Sequence, residues 1–341
     1  MWKRIRIWTL ITLVFTLLLA ACAQPATPTR MAFRVGLVTD VGKIDDKSFN
    51  QGTWEGVQKA VRELGVEAKY IETQDPNDYM KNIAQFADAG YDVIVTVGFA
   101  IGEATRESAQ KYPNVKFIGV DQFQESVLPN VAGLIFEEDK AGFMTGALAA
   151  LMSKTGKIGA VLGTDAVPPV WRFGEGYRVG AKYVRPDVEI LLVYHNDVGL
   201  DKTFTDPEWG KSTALSLVDK GVDVIFGAGG KTGNGALIAC AESKKCLAIG
   251  VDVDQYYTVP EARSVLLSSA MKDLTEGTFN LIKAAYEGKW QGGNVIGPVR
   301  LAPFHELDSQ VPQEVRQKLA EIEKGLQDGT IKTNVPPAKP Q

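Results

Sequence analysis

From residue 33 onward, short apolar runs alternate with longer segments whose apolar residues recur every three to four positions. The runs at 35–38, 68–71, 93–97 and 117–120 form one series, and those at 158–162, 190–193, 222–226 and 247–251 form a second. Several are unbroken Val/Ile stretches rather than strict alternations, as expected for parallel strands covered on both faces. Between them, residues 51–64, 79–89, 142–152, 212–220 and 235–241 carry the helical period. Strand and helix alternating in this way predict a parallel α/β architecture. Roughly 300 residues exceed one ordinary core, and the two series share a layout, so two similar lobes are expected.

The ends of the chain add a compartment. Lys3, Arg4 and Arg6 precede an apolar stretch, 7–19, that is too short for a comfortable membrane span. This is the build of an export signal, 1–21. It closes on Leu19-Ala20-Ala21-Cys22, which resembles the bacterial lipobox and makes Cys22 the expected lipid-bearing residue. Residues 22–32 then read as lipidated cysteine and tether, with several acyl chains needed for firm anchoring. The expected location is the cell membrane, lipid-anchored on its extracytoplasmic face. Removing 1–21 takes away those three cations and no anion, so the formal charge of −4 becomes −7. An acidic domain without a basic stripe is a poor nucleic-acid binder. In an oxidising compartment Cys240 and Cys246 read either as a local disulfide joining a helix end to the next strand or as two buried thiols.

The stretch from Thr39 to Gly56, TDVGKIDDKSFNQGTWEG, follows the first strand and leads into a helix. In open α/β sheets, ligands bind at such strand-to-helix junctions. The stretch resembles the signature of the basic membrane protein family, the purine-nucleoside receptor lipoproteins of ABC importers. Further matches follow in the family's order: YDVIVTVGF at 91–99, TGKIG at 155–159, RFGEGY at 172–177, GAGGKTGNG at 227–235 and IGVDVDQ at 249–255. The resemblance implies the two Rossmann-like lobes and three-crossing hinge of type I periplasmic binding proteins. On that scheme the N-terminal lobe is 33–136 plus 271–300, the C-terminal lobe is 137–270 plus 301–330, and 331–341 is a tail. The crossings fall near 133–137, 267–270 and 298–300. A helix over 272–286 returns to the first lobe, and another spans 312–325.

A purine base offers a flat polarisable face that two rings can sandwich; Phe49 from the first lobe and Phe173 from the second are the candidates. Tyr177, one helical turn after Phe173, shares its face or supports it from behind. Fixed acceptors stand at strand ends: Asp40 and Asn50 at the first junction, Asp121 after 117–120, and Asp252 after 247–251. A carboxylate accepts two hydroxyl hydrogen bonds at once, which suits a vicinal diol. The resemblance implies Asp252 for the ribose, Asn50 and Asp121 for the base edge, and Asp40 for either, with Ser48 in the same signature. It also places Lys272 near the ligand. Gly229 and Gly230 bring backbone N–H groups close without side-chain obstruction. For Asp45 and Asp46 the expected role is capping of the next helix. Guanosine, inosine or adenosine is the expected ligand, ABC permease subunits are the expected partners, and no cofactor is implied.

Competing chemistries lack parts. A P-loop requires glycine where Ile225 stands before Gly230-Lys231-Thr232. Asp40 with Asp45 and Asp46 superficially resembles the calcium cluster of nucleoside hydrolases, but Val38 occupies the place of one ligand and the acidic pair is shifted by one position. His195 and His305 are the only histidines and neither lies near a Cys-x-x-Cys. A binding protein rather than an enzyme is therefore expected, with a sugar or autoinducer receptor on the same scaffold as the nearest competitor. Two departures from the family pattern fall on the expected second-lobe wall: Trp171, which could replace or supplement Phe173 as the stacking ring, and a lengthened segment over 197–204.

Overall fold

The computed structural model describes residues 32–340; the expected export signal, Cys22 and the expected tether through residue 31 lie outside the described residues. The chain opens with β1 (Arg34–Thr39), α1 (Phe49–Leu64), β2 (Glu67–Ile71), α2 (Tyr79–Asp88), β3 (Val93–Val97), α3 (Gly102–Lys111), β4 (Lys116–Val120) and β5 (Val131–Phe136). Unbroken apolar strands form here because both faces are covered. Val35, Leu37, Val93 and Val95 join one buried cluster, and Val38, Ile94 and Phe117 join another on the opposite face. The next stretch runs α4 (Glu138–Met152), β6 (Lys157–Leu162), α5 (Pro168–Val184), β7 (Glu189–Tyr194), α6 (Leu200–Thr203), α7 (Pro207–Asp219) and β8 (Val224–Ala228). It continues with α8 (Gly230–Ser243), β9 (Leu247–Asp252), α9 (Gln255–Thr258) and β10 (Leu266–Lys272). The chain ends with α10 (Leu274–Tyr286), β11 (Gly293–Gly297), β12 (Val299–Leu301) and α11 (Gln313–Asp328).

Among the described residues the strands form two six-stranded sheets, ordered β11-β5-β4-β3-β1-β2 and β12-β10-β9-β8-β6-β7. Neighbouring strands run parallel except β10 and β12. The chain leaves the first sheet after Phe136, returns after Lys272 and leaves again at Pro298. The junction segments are themselves strands, which apolar periodicity alone did not separate from their surroundings. Their placement moves two expected boundaries: 267–270 lies inside β10, and Met271 and Lys272 finish that strand instead of opening a helix. Val299 and Arg300 pair with β10 and so sit in the second sheet. Beyond α11 the tail is bound: the Thr333 hydroxyl donates to Asp139, and Lys339 Nζ lies 2.7 Å from Asp165 Oδ2.

Two helix pairs fix the lobes. α10 packs on α1, where Thr275 Oγ1 donates to the Gly52 carbonyl at 2.9 Å and Leu274, Phe279 and Ile282 share a core with Val57 and Ala60. α4 meets α5 through Gly142 and Gly146 on one helix and Gly176 and Gly180 on the other. A Cβ at any of the four would overlap backbone of the partner helix, so only glycine permits this approach. In the second lobe Cys240, near the end of α8, is disulfide-bonded to Cys246, just before β9, with Cα atoms 5.0 Å apart.

Candidate functional site

The carboxyl ends of β1, β3 and β4 face those of β6, β8 and β9 across a cavity of about 750 Å³, mouth included. First-lobe lining includes Asp40, Asp46, Phe49, Asn50, Phe99 and Asp121; second-lobe lining includes Val170, Phe173, Leu200, Phe204, Gly229, Gly230 and Asp252, with Lys272 between the lobes. Of the residues expected from sequence, Ser48 does not line the cavity. Its hydroxyl donates to Asp252 Oδ2 at 2.6 Å, so it orients a carboxylate of the opposite lobe.

Asp121 and Asp252 occupy equivalent places in the two lobes, one at the end of β4 and the other at the end of β9, and both adopt left-handed backbone, φ 60° and 66°. A non-glycine residue there is uncommon, although Asp tolerates it better than most. Lys272, at the end of β10, receives both lobes: its Nζ is 2.5 Å from Asp121 Oδ2 and 3.1 Å from Glu138 Oε1. It also stands 5.1 Å from the Phe49 ring centre and 5.5 Å from that of Phe173, within cation–π range of both. Burial opposes its charge, but Asp121, Glu138 and Asp252 together outweigh burial and hold the ammonium well above the ordinary lysine range. Several carboxylates share this one ammonium, so burial still keeps Asp121, Glu138 and Asp252 above the usual carboxylate range. Glu138 gains a second partner in Arg172, whose Nη1 lies 2.9 Å from Oε2.

Asp40 accepts N–H bonds from Val41 at 2.6 Å and Ala100 at 3.3 Å. Burial nevertheless pushes its carboxyl up to about 7. Asn50 donates to the carbonyls of Val41 at 3.0 Å and Lys43 at 3.2 Å, which spends its NH₂ on the 41–43 turn. Its buried Oδ1 has no partner and is the atom left for a ligand, so Asn50 can serve only as an acceptor.

The paired aspartates at 45 and 46 divide their roles. Asp46 caps α1, accepting from the N–H groups of Ser48, Asn50 and Gln51 at 2.9–3.0 Å, and burial pushes it up to about 6. Asp45 does not cap; it is exposed and lies 3.3 Å from Lys231 of the second lobe. Asp40, Asp45 and Asp46 therefore do not converge on one ion.

On the second-lobe wall Phe173 is 3% exposed and packs edge-on against Phe226 at 5.9 Å. Tyr177 supports that arrangement from behind, stacked on Phe226 at 5.6 Å and donating to the Gly159 carbonyl. Trp171 is buried away from the cavity, and its neighbour Val170 lines it instead. Gly229 cannot carry a side chain, because a Cβ would meet Gly163 backbone at 2.8 Å, and Gly230 has φ +55°. The two glycines open α8 at the cavity rim. Sequence reasoning did not single out Phe99, Leu200 or Phe204. Phe99 follows β3 at a carboxyl edge, where that signal was available, whereas Leu200 and Phe204 lie on the lengthened segment.

A ligand-sized cleft between two parallel α/β lobes with three connecting crossings defines a type I periplasmic substrate-binding protein. A solute-binding protein of an ABC transporter from Aeropyrum pernix superposes with a TM-score of 0.80 at 27% identity, covering 88% of this chain and 92% of that one. The chain belongs to the PnrA-like family of ABC transporter substrate-binding proteins, which matches residues 33–298. A relative in Pyrococcus horikoshii, named an uncharacterised lipoprotein, is 32% identical over 302 residues, 83% of this chain and 72% of the relative. The ABC transporter nucleoside-binding protein BmpA of Lactococcus lactis is 27% identical over 357 residues, 96% of this chain and 98% of that protein.

Proposed function

We propose that this substrate-binding protein captures a purine nucleoside between its lobes and is held by lipid on Cys22 at the extracytoplasmic face, delivering the ligand to ABC permease subunits without chemical conversion. One observation carries the reading: an aromatic ring from each lobe, Phe49 and Phe173, lines a cavity whose polar lining includes carboxylates from both lobes and the Lys272 ammonium. The rings suit a base. Asp252, with one oxygen fixed by Ser48, suits the ribose diol, and Asp121 with the free Asn50 Oδ1 suits base N–H groups. Gly229 and Gly230 leave room at the rim. The name of the Lactococcus relative supports the same ligand class.

Ligand bridging both lobes favours the closed arrangement, and closure then presents the permease with a defined surface. The test is a thermal-shift screen of the purified protein against guanosine, inosine, adenosine, free bases, ribose and common sugars. Binding to the native state raises the melting temperature by mass action. A shift with purine nucleosides and none with ribose or bases is expected; a shift with sugars alone discards the nucleoside reading, and ribose released from inosine discards the non-enzymatic one. Phe173→Ala is expected to weaken nucleoside binding by about five- to 150-fold, since stacking is worth roughly 1–3 kcal/mol per base. Unchanged affinity by isothermal titration would remove Phe173 from the site.

A further inference from the structure

His195 follows β7 and its side chain is 1% exposed. Its Nδ1 lies 2.7 Å from Asp197 Oδ1, and its Nε2, buried and without a hydrogen bond, lies 3.5 Å from Asp206 Oδ2. The ring stacks on Trp209 of α7 at 3.9 Å with planes 10° apart. The His195 backbone is held as well: its N–H donates to the Leu162 and Gly163 carbonyls, and the Thr203 hydroxyl donates to its C=O. Asp197 and Asp206 are the two ends of the segment that carries Leu200 and Phe204 into the cavity. Phe204 is in turn lodged against Gly163, where a Cβ would overlap its ring, and its carbonyl accepts from Lys231 N–H at 2.9 Å. One buried imidazole thus touches both ends of a cavity wall.

Protonation decides how many ends it can hold. A neutral imidazole has one N–H and one lone pair, so a bond from Nδ1–H to Asp197 leaves the Nε2 lone pair facing the Asp206 carboxylate. An imidazolium donates to both. Asp197 and Asp206 are the charged groups within ion-pair range of the ring among the described residues; β6 presents backbone carbonyls, α6 the Thr203 hydroxyl and α7 the Trp209 face. The hydrogen bond from His195 holds Asp197 below its ordinary range. Asp206 also caps α7, accepting from Trp209 N–H at 3.0 Å, so its position passes directly into that helix.

We propose that His195 is a positioning residue for the ligand-facing wall 197–206, and that its protonation secures both ends of that wall around the ligand. The consequence for binding rests on the nucleoside reading; the ordering of the wall does not. The test follows amide hydrogen exchange over 196–206 in ligand-free protein at about pH 5.5 and about pH 7.5, normalised to intrinsic rates, with guanosine titrations at both pH values. The parent's segment is expected to be about threefold better protected at the lower pH, the size of effect supplied by an ion pair whose carboxylate stays partly exposed. His195→Gln and Asp206→Asn are expected to lose that difference. The ratio of parent to variant affinity for guanosine rises by a similar factor toward low pH, and the titration of Asp40, common to all three proteins, cancels in it. Asp206→Asn retains an acceptor for Trp209 N–H, so it carries the test if His195→Gln does not fold. Equal normalised protection in the parent and a folded variant at both pH values would overturn the proposal. Protection that follows His195 in a parent that binds no guanosine keeps the wall's role and discards the nucleoside reading.

Discussion

At Asp40 two local effects oppose each other. Burial raises the carboxyl to about 7 from an ordinary 3.8, while N–H groups of Val41 and Ala100 pull it down without prevailing. A raised folded-state value means that the native protein binds more protons than the unfolded chain between those limits, so stability falls as pH rises through the window and levels off above about 7. Asp40→Asn removes the ionisation and keeps an acceptor for Val41 N–H. The variant is expected to gain stability over the parent by roughly 1–4 kcal/mol at pH 8 and by little near pH 4. Asp46 titrates in the same window in both proteins, so the difference between their melting temperatures is the quantity to follow. A difference independent of pH would show that Asp40 ionises normally. At this scale the acidic strand ends were readable because Asp after an apolar run is a local signal. The division between Asp45 and Asp46 was not, because adjacent identical residues point in opposite directions only once the loop is folded.

Helices α4 and α5 present the opposite lesson about glycine. Taken alone, glycine inside a helix costs about 1 kcal/mol relative to alanine. Here Gly146→Ala would drive a methyl group into the Tyr177 carbonyl, and the position that orients Phe173 lies one turn away. The replacement is therefore expected to destabilise by roughly 1–3 kcal/mol, the range for overpacking, despite its better helix propensity. A higher urea midpoint for Gly146→Ala would mean that the helices separate freely. The four-residue glycine spacing stands in the sequence at 142 and 146 and at 176 and 180. Which helix meets which is not there, because pairing depends on two segments some thirty positions apart arriving face to face.

Across the whole molecule, the turn at 46–48 joins the lobes. Asn234 Nδ2 donates to the Asp46 carbonyl at 2.8 Å, while Gln255 Nε2 and Thr258 Oγ1 donate to that of Lys47 at 3.1 and 2.8 Å. Gln255 Nε2 also reaches Asn234 Oδ1 at 2.7 Å, and Lys47 itself sits at φ 62°. Buried hydrogen bonds of this kind each contribute about 1 kcal/mol. The Asn234→Ala/Gln255→Ala double variant is accordingly expected to open without ligand, with a larger radius of gyration in X-ray scattering than the parent. Guanosine affinity should fall about tenfold, because closure then draws more heavily on ligand contacts. Identical scattering curves would assign closure to the hinge rather than to this turn.

The sequence by itself determined the two α/β series, the acidic character of the chain, and the acidic and aromatic residues at the first junction. Each is written in contiguous residues, where apolar period and turn chemistry act locally. Only the tertiary structure decided that β10 ends in Lys272, that this ammonium sits among Asp121, Glu138, Phe49 and Phe173, and that Ser48 serves Asp252 rather than the cavity. Those contacts join residues as much as 223 positions apart. They follow from the order of strands in two sheets and the angle between them, and a one-dimensional pattern of polar and apolar positions constrains neither.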